Sequence, residues 1–148
     1  MVDRAERHAK IVERVEALYR RVASELERNA ELAGSCSACG KCCDFDAYDH
    51  RLFVTPPELI YLAAGLGQSE LKPMTTGRCP YNVDARCTVH DHRFAGCRIF
   101  CCTGDADFQS RLTEHVLKEL KAICTEFGIP YRYMDLRAAL TSPRIVVE

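Results

Sequence analysis

The stretch "SCSACGKCC", residues 35–43, contains four of the ten cysteines in this chain of 148 residues. Cys36, Cys39 and Cys42 are each separated by two residues, and Cys43 follows directly. This spacing lets one turn of backbone direct successive thiolates at a metal. Adjacent side chains diverge, so we expect Cys42 and Cys43 to face different metal sites or different atoms of one cluster.

A second group of cysteines follows downstream and consists of Cys79, Cys87, Cys97 and Cys101. The two groups together supply eight thiols, which suit two four-thiolate sites or one multinuclear cluster. Cys97 and Cys101 are four residues apart, so we expect them to share one face of a helical turn. Thiolate ligation is compatible with iron–sulfur clusters and with zinc. We prefer iron–sulfur, because ferredoxins use the C-x2-C-x2-C run and a proline after a ligand cysteine.

The remaining cysteines and nearby histidines are weaker candidates for metal ligands. We interpret Cys124 as a core residue of a helix and Cys102 as a non-ligand. His50, His90 and His92 lie near the cysteine groups, and imidazole is able to replace a thiolate. Because eight thiols are available, we favour structural roles for these histidines.

A long amphipathic helix is predicted upstream of the first cysteine, from Asp3 to about Leu32. Its apolar positions recur at spacings of three and four residues, and Gly34 ends it. We expect the apolar stripe to pack on the rest of the domain, with a second copy of the chain or a protein partner as the alternative. The stripe consists of Ile11, Val15, Leu18, Val22 and Leu26.

Two further helices are predicted. Thr55 is a candidate N-cap, with Pro56 at the first helical position and Glu58 three residues on, as in a capping box. Helical periodicity returns over residues 105–127 and closes at Gly128. The tail after this helix is predicted to add a short helical turn and an extended end.

Residues 68–104 show little periodicity and are predicted to form a loop that a metal would order. The chain therefore divides into an N-terminal amphipathic helix (1–34), a Cys-rich metal-binding region (35–104) and a C-terminal helix and tail (105–148). We expect one small, mainly α domain in which long amphipathic helices pack around a Cys-rich metal-binding loop core.

The overall composition is that of an ordinary globular protein, with 47% hydrophobic and 28% charged residues. The net charge of −1 gives no general attraction to nucleic acid or to an anionic membrane. The start of the chain lacks the apolar core of a signal peptide, and no later stretch is apolar enough to span a membrane. We therefore expect a cytoplasmic protein, where a reducing environment favours metal binding over disulfides.

The segment "CSACGKCC" followed by "CPYNVDARCTVHDHRFAGCRIFC" resembles the YkgJ-type cysteine-cluster family, a zinc- or iron-chelating domain with a CxxCxxCC motif. The resemblance covers residues 36–101, where eight cysteines align in order. It implies that all eight are metal ligands, and that Arg93 and Arg98 correspond to two arginines of the pattern. The chain departs from this pattern at His90, Phe94 and Cys102.

The predicted function is metal binding through eight cysteines, with a structural or redox role. One alternative is a metal-dependent enzyme whose substrate or cofactor is held by Arg93 and Arg98, since guanidinium groups suit carboxylates and phosphates. A similar cysteine pattern occurs in the larger flagellin lysine N-methylases. Another alternative is a metal carrier or scaffold that docks through the N-terminal helix. The sequence contains no P-loop, G-x-G-x-x-G or H-E-x-x-H motif that would identify a reaction.

Overall fold

The computed structural model describes residues 3–34, 43, 52–67 and 71–141. This part of the chain is mainly α, which confirms the predicted fold class. None of its helices is both long and apolar enough to cross a membrane. The predicted ligands Cys36, Cys39 and Cys42, and also His50, lie outside the described residues. The helices are α1 (Arg4–Arg28), α2 (Ala30–Ala33), α3 (Pro56–Gly65), α4 (Ala95–Ile99), α5 (Ala106–Phe127) and α6 (Leu136–Thr141).

Helix α1 buries the apolar stripe that the sequence predicts, from Ile11 to Val22. Tyr19 is buried beside this stripe. The stripe packs within the chain, against α3 and α5. The helix ends at Asn29, whose side-chain amide donates to the Glu25 carbonyl at 2.8 Å. Intramolecular burial of a helical face is the usual source of helix stability in a small domain.

Helix α3 begins as the sequence predicts, with Thr55 as the N-cap and Pro56 at the first helical position. The Glu58 carboxylate accepts hydrogen bonds from the Thr55 backbone N–H at 2.8 Å and from its hydroxyl at 2.9 Å. Residues 59–62 are all buried. Because this short helix is apolar on most sides, it occupies the centre of the fold rather than its surface.

Helix α5 is also confirmed, with its first turn capped by Asp105, which accepts from the Phe108 N–H at 2.8 Å. Gly128 ends it in the left-handed conformation, at φ 68°. The helical turn predicted for the tail is present as α6. Just before it, strand β4 (Met134–Asp135) pairs antiparallel with β1 (Phe53–Val54). We call α1, α3 and α5 the helical frame, because one continuous hydrophobic core joins them.

Residues 71–104, which we call the cysteine loop, contain more regular structure than their sequence predicts. Strands β2 (Asn82–Val83) and β3 (Arg86–Cys87) form a hairpin, and a 3₁₀ turn at His90–His92 precedes α4. Asp84 and Ala85 connect the two strands with φ angles of 51° and 62°. Positive φ at both central residues is typical of a type I′ turn. Two-residue strands are too short to produce a recognisable alternation of polar and apolar residues.

The two ends of the Cys-rich region meet at a close contact between Gly34 and the Thr103–Gly104 backbone. A Cβ atom at Gly34 would lie 2.8 Å from the Gly104 nitrogen and 2.9 Å from the Thr103 carbonyl carbon. The Asp105 N–H donates to the Leu32 carbonyl at 2.8 Å beside this contact. The end of α2 therefore contacts the residues just before α5, and this contact brings the two ends of the Cys-rich region together.

Candidate metal centre

The β2–β3 hairpin brings Cys79 and Cys87 to the same end of a short ribbon. The Asn82 N–H donates to the Cys79 carbonyl at 3.0 Å, and Asn82 is paired with Cys87 across the ribbon. Tyr81 anchors the hairpin: its ring is 1% exposed, and its hydroxyl accepts from the Lys72 N–H at 2.8 Å. The positions of both cysteines thus depend on a buried aromatic side chain and a tight turn.

A direct backbone contact joins the first cysteine group to the second. The Cys79 N–H donates to the Cys43 carbonyl at 2.9 Å. Burial, with smaller contributions from the neighbouring Cys43 and Cys87 thiols, raises the pKa of the Cys79 thiol to about 11. Residues distant in sequence are therefore neighbours in the fold.

Cys97 joins these cysteines from α4, where it packs against the hydrophobic core. Burial raises the pKa of its thiol well above the usual range, and Cys79 and Cys43 contribute in the same direction. The Arg93 guanidinium partly opposes this rise in the pKa of Cys97. Three separate segments therefore place four thiols within electrostatic range of each other: Cys43, Cys79, Cys87 and Cys97.

Two backbone N–H groups partly oppose the effect of burial on Cys79. The N–H groups of Tyr81 and Asn82 lie near its thiol and lower its pKa, although the net pKa stays raised. Backbone N–H groups directed at sulfur stabilise thiolate ligands of zinc and iron. All cysteines in the described ranges are free thiols. Thiolates are the donor type that soft metals such as zinc and iron in iron–sulfur clusters prefer.

The described residues do not form a complete ligand set by themselves. Among them, no three His, Cys, Asp or Glu side chains converge closely enough to hold a metal ion. The four thiols are therefore neighbours that do not surround a single point. The other predicted ligands of the CxxCxxCC motif lie outside the described residues.

Cys101 occupies a different environment from Cys97. Helix α4 ends at Ile99 and the backbone is extended at Phe100, so the expectation that Cys97 and Cys101 share a helical face is wrong. The Cys101 sulfur lies 3.2 Å from the Thr103 hydroxyl, and its carbonyl accepts from the Gln109 side-chain amide at 2.9 Å. A metal role for Cys101 stays a prediction from the resemblance.

The other two cysteines differ in exposure. Cys124 is 1% exposed within α5, which agrees with its predicted place in the core, and burial raises the pKa of its thiol to about 11. Cys102 is exposed. Its predicted exclusion from the ligand set stays a prediction.

Both candidate arginines donate hydrogen bonds to carbonyls of the cysteine loop. Arg93 donates through Nε to the His90 carbonyl at 2.9 Å. Arg98 donates to the Arg93 carbonyl at 2.9 Å and to the Asp91 carbonyl at 2.8 Å. These bonds fix the turn that leads into α4. Direct binding of a cofactor by either arginine stays a prediction.

The histidines of this turn have different surroundings. His90 is exposed, and its Nδ1 lies 3.9 Å from an Asp91 carboxylate oxygen. The His92 ring packs on Tyr61, with 4.9 Å between ring centroids, and it covers Gly65. His92 thus contributes to packing between the turn and α3.

The sequence reasoning missed the role of Glu58 and Tyr19 beside this centre. Glu58 was interpreted only as part of a capping box, yet it is 2% exposed and also accepts hydrogen bonds from Tyr19 and Ala95. Burial raises the pKa of this carboxyl. A single charged residue within the otherwise apolar segment "PPELIYLAA" is the signal that points to such a buried role.

Comparison of the chain with models of protein families, with curated proteins and with solved structures finds no match. The resemblance to the YkgJ-type family therefore stays a prediction from the cysteine pattern.

Proposed function

We propose that this chain is a metal-binding domain whose cysteines hold an iron–sulfur cluster or zinc. One observation carries the proposal: three segments that are distant in sequence bring Cys43, Cys79, Cys87 and Cys97 together. Clustering of buried thiols without a metal gains little over small apolar side chains. Soft thiolate donors select zinc and iron–sulfur clusters.

The chemistry of these thiols supports metal binding coupled to proton release. Burial favours the protonated forms of Cys79 and Cys97, so a metal must displace their protons when it binds. The two backbone N–H groups at the Cys79 sulfur and the nearby Arg93 guanidinium favour the negative charge that results. Apparent metal affinity is therefore expected to rise with pH.

The metal would link segments of the chain whose cysteines are only partly buried against the hydrophobic core. Cys79 and Cys97 pack against the core as partly buried residues. A bound metal would link the hairpin, α4 and the chain at Cys43. Zinc would supply this structural link alone, whereas an iron–sulfur cluster would also supply electron transfer.

The test is purification without oxygen, followed by an absorption spectrum and measurement of iron, zinc and acid-labile sulfide. We expect a coloured protein with iron and sulfide, and a colourless protein with stoichiometric zinc would select the zinc form of the proposal. Stripping the metal with a chelator should release thiols that react with a colorimetric reagent. A protein purified with neither metal, and unable to bind either when supplied, contradicts the proposal.

Variants of single cysteines test which thiols take part. Cys79→Ser and Cys97→Ser are each expected to lower metal content strongly, because each removes a donor of the cluster. The matched control is Cys102→Ser, which changes an exposed cysteine that lies next to a predicted ligand. Full metal content in both Cys79→Ser and Cys97→Ser would exclude the site described here.

A further inference from the structure

The Glu58 carboxylate lies at a point where three helices meet. Its Oε2 accepts from the Thr55 N–H at 2.8 Å and from the Thr55 hydroxyl at 2.9 Å. Its Oε1 accepts from the Ala95 N–H at 2.7 Å and from the Tyr19 hydroxyl at 3.2 Å. Four donors from α1, from the N-cap of α3 and from α4 therefore fill the acceptor positions of one carboxylate.

This carboxylate is buried more deeply than helix capping requires. A capping-box glutamate serves its own helix equally well at the surface, and burying a carboxylate is unfavourable unless hydrogen bonds compensate. Glu58 is 2% exposed, and half of its hydrogen bonds go to residues outside α3 and its cap. The burial therefore indicates a role that extends beyond α3.

Helix α4 depends on a cap from elsewhere in the fold. It has five residues, too few to be stable alone, and its N-cap position is Phe94, which has no polar side-chain atom. Glu58 accepts the N–H of Ala95, the first residue of α4. Cys97 follows two residues later, so the contact that fixes the start of α4 also fixes the backbone that carries Cys97.

Tyr19 provides a second contact between α1 and α4. Its hydroxyl donates to Glu58, and the Arg98 guanidinium lies over its ring at 4.1 Å from the ring centroid. Arg98 directly follows Cys97 in the chain. Ala95, before Cys97, thus donates to Glu58, and Arg98, after Cys97, lies over the ring of Tyr19.

We propose that Glu58 is a positioning residue for the metal centre: it caps α4 from α3 and so fixes the place of the Cys97 thiol. This inference depends on the proposed function, because it assigns Cys97 a metal. Glu58 itself is not a ligand here, since its two oxygens are occupied by four protein donors.

Glu58→Gln tests the proposal with the smallest change in shape. The side-chain amide must present its NH₂ group either to the Thr55 donors or to the Ala95 N–H and the Tyr19 hydroxyl. The backbone N–H on that side loses its acceptor, whereas the hydroxyl is able to turn and accept from the NH₂ group. Zinc is the probe, and its affinity is measured by competition with a chromophoric chelator. We expect zinc binding to weaken about tenfold or more, the range found when groups that orient a ligand are changed.

Ala95→Pro removes the same hydrogen bond from its other end. Proline is favoured at the first position of a helix, and Phe94 already has the extended conformation that a following proline requires, at φ −68° and ψ 160°. We expect a fall in zinc affinity like that of Glu58→Gln. This second variant keeps the proposal testable if Glu58→Gln does not fold.

The matched control is Thr55→Val, which removes one donor to the same carboxylate and leaves the Ala95 contact in place. It is expected to lower the free energy of unfolding while zinc affinity stays at the wild-type value. Wild-type zinc affinity in both folded Glu58→Gln and folded Ala95→Pro would overturn the proposal. An equal loss in Thr55→Val would also overturn it, since general destabilisation would then explain the effect.

A measurement on the metal-free protein separates this inference from the proposed function. Alkylation of Cys97 by iodoacetamide, followed by peptide mass mapping under native conditions, reports how well its thiol is held in place. We expect faster alkylation of Cys97 in Glu58→Gln and an unchanged rate in Thr55→Val. If the wild type binds no metal, the proposed function fails, while an unchanged Cys97 rate in both Glu58→Gln and Ala95→Pro means that the positioning role fails.

Discussion

The helical frame and the cysteine loop obtain their order from different sources. The frame buries long stripes of aliphatic side chains, and Ile11, Leu59 and Leu120 are each 0% exposed. The cysteine loop consists of short strands, a 3₁₀ turn and the five-residue α4. Its fixed points are single contacts, among them the Tyr81 hydroxyl, the Arg98 guanidinium and the Glu58 carboxylate.

This difference separates the source of the fold's stability, which is the helical frame, from the region proposed to bind metal, which is the cysteine loop. Hydrophobic burial is non-directional and tolerates small movements, so it suits a frame. A metal centre needs thiols at defined positions, and directional hydrogen bonds from a rigid support provide them. The frame is expected to remain helical without metal, whereas the cysteine loop is expected to lose order.

The largest expected effect in the frame comes from Leu120→Ala. Leu120 lies on α5 at the centre of the core, so truncation leaves a cavity and should lower the free energy of unfolding by about 3 kcal/mol. Urea unfolding followed by helical circular dichroism measures this change, and metal content should stay the same in the folded protein. The control is Leu32→Ala, at a side chain that is 40% exposed. Similar losses in the two variants would contradict the division between frame and surface.

An intermediate effect is expected from Gly34→Ala, where the frame and the cysteine loop meet. The φ angle of 79° disfavours a side chain, and the added Cβ would meet the backbone of Thr103 and Gly104. We expect a loss of about 1–3 kcal/mol in the free energy of unfolding. Gly67→Ala is the matched control, because Gly67 has φ 72° but open space around it. Equal losses in both variants would show that the Gly34 contact adds no stability.

The smallest expected effect is a gain in stability from Ala85→Gly in the β2–β3 turn. Ala85 adopts φ 62°, a conformation that costs a residue with a side chain about 1 kcal/mol and costs glycine little. The melting temperature should therefore rise slightly. Ala64→Gly, at an exposed position of α3, should have the opposite sign, because glycine weakens a helix interior. A lower melting temperature for Ala85→Gly would argue against the type I′ turn.

The frame was predictable because its signals are local and repeated. The spacing of Ile11, Val15, Leu18 and Val22 identifies a buried face from one helix alone. Thr55 marks a helix start through capping chemistry, and Gly128 marks a helix end through its freedom to adopt positive φ. Each of these features depends on residues within a few positions of each other.

The cysteine loop was less predictable because its contacts join residues that are distant in sequence. The Cys79–Cys43 backbone bond and the Glu58–Ala95 bond connect positions 36 and 37 residues apart. The expectation that Cys97 and Cys101 share a helical face failed, because α4 ends before Cys101. Spacing alone indicates which residues are able to share a face, while the length of the helix decides whether they do.

The sequence by itself determined the mainly α fold, the places of the long helices and the set of candidate thiols, because periodicity, capping and cysteine spacing are local properties. The predicted end of the first helix near Leu32 was wrong, since α1 ends at Arg28 and Asn29 separates it from α2. Only the tertiary structure decided that α4 depends on a carboxylate from α3, and that Cys43, Cys79, Cys87 and Cys97 become neighbours while Cys101 contacts Thr103. The physical reason is that burial and hydrogen-bond partners depend on which elements pack together. Which elements pack together depends on the whole hydrophobic core and not on any single stretch of the chain.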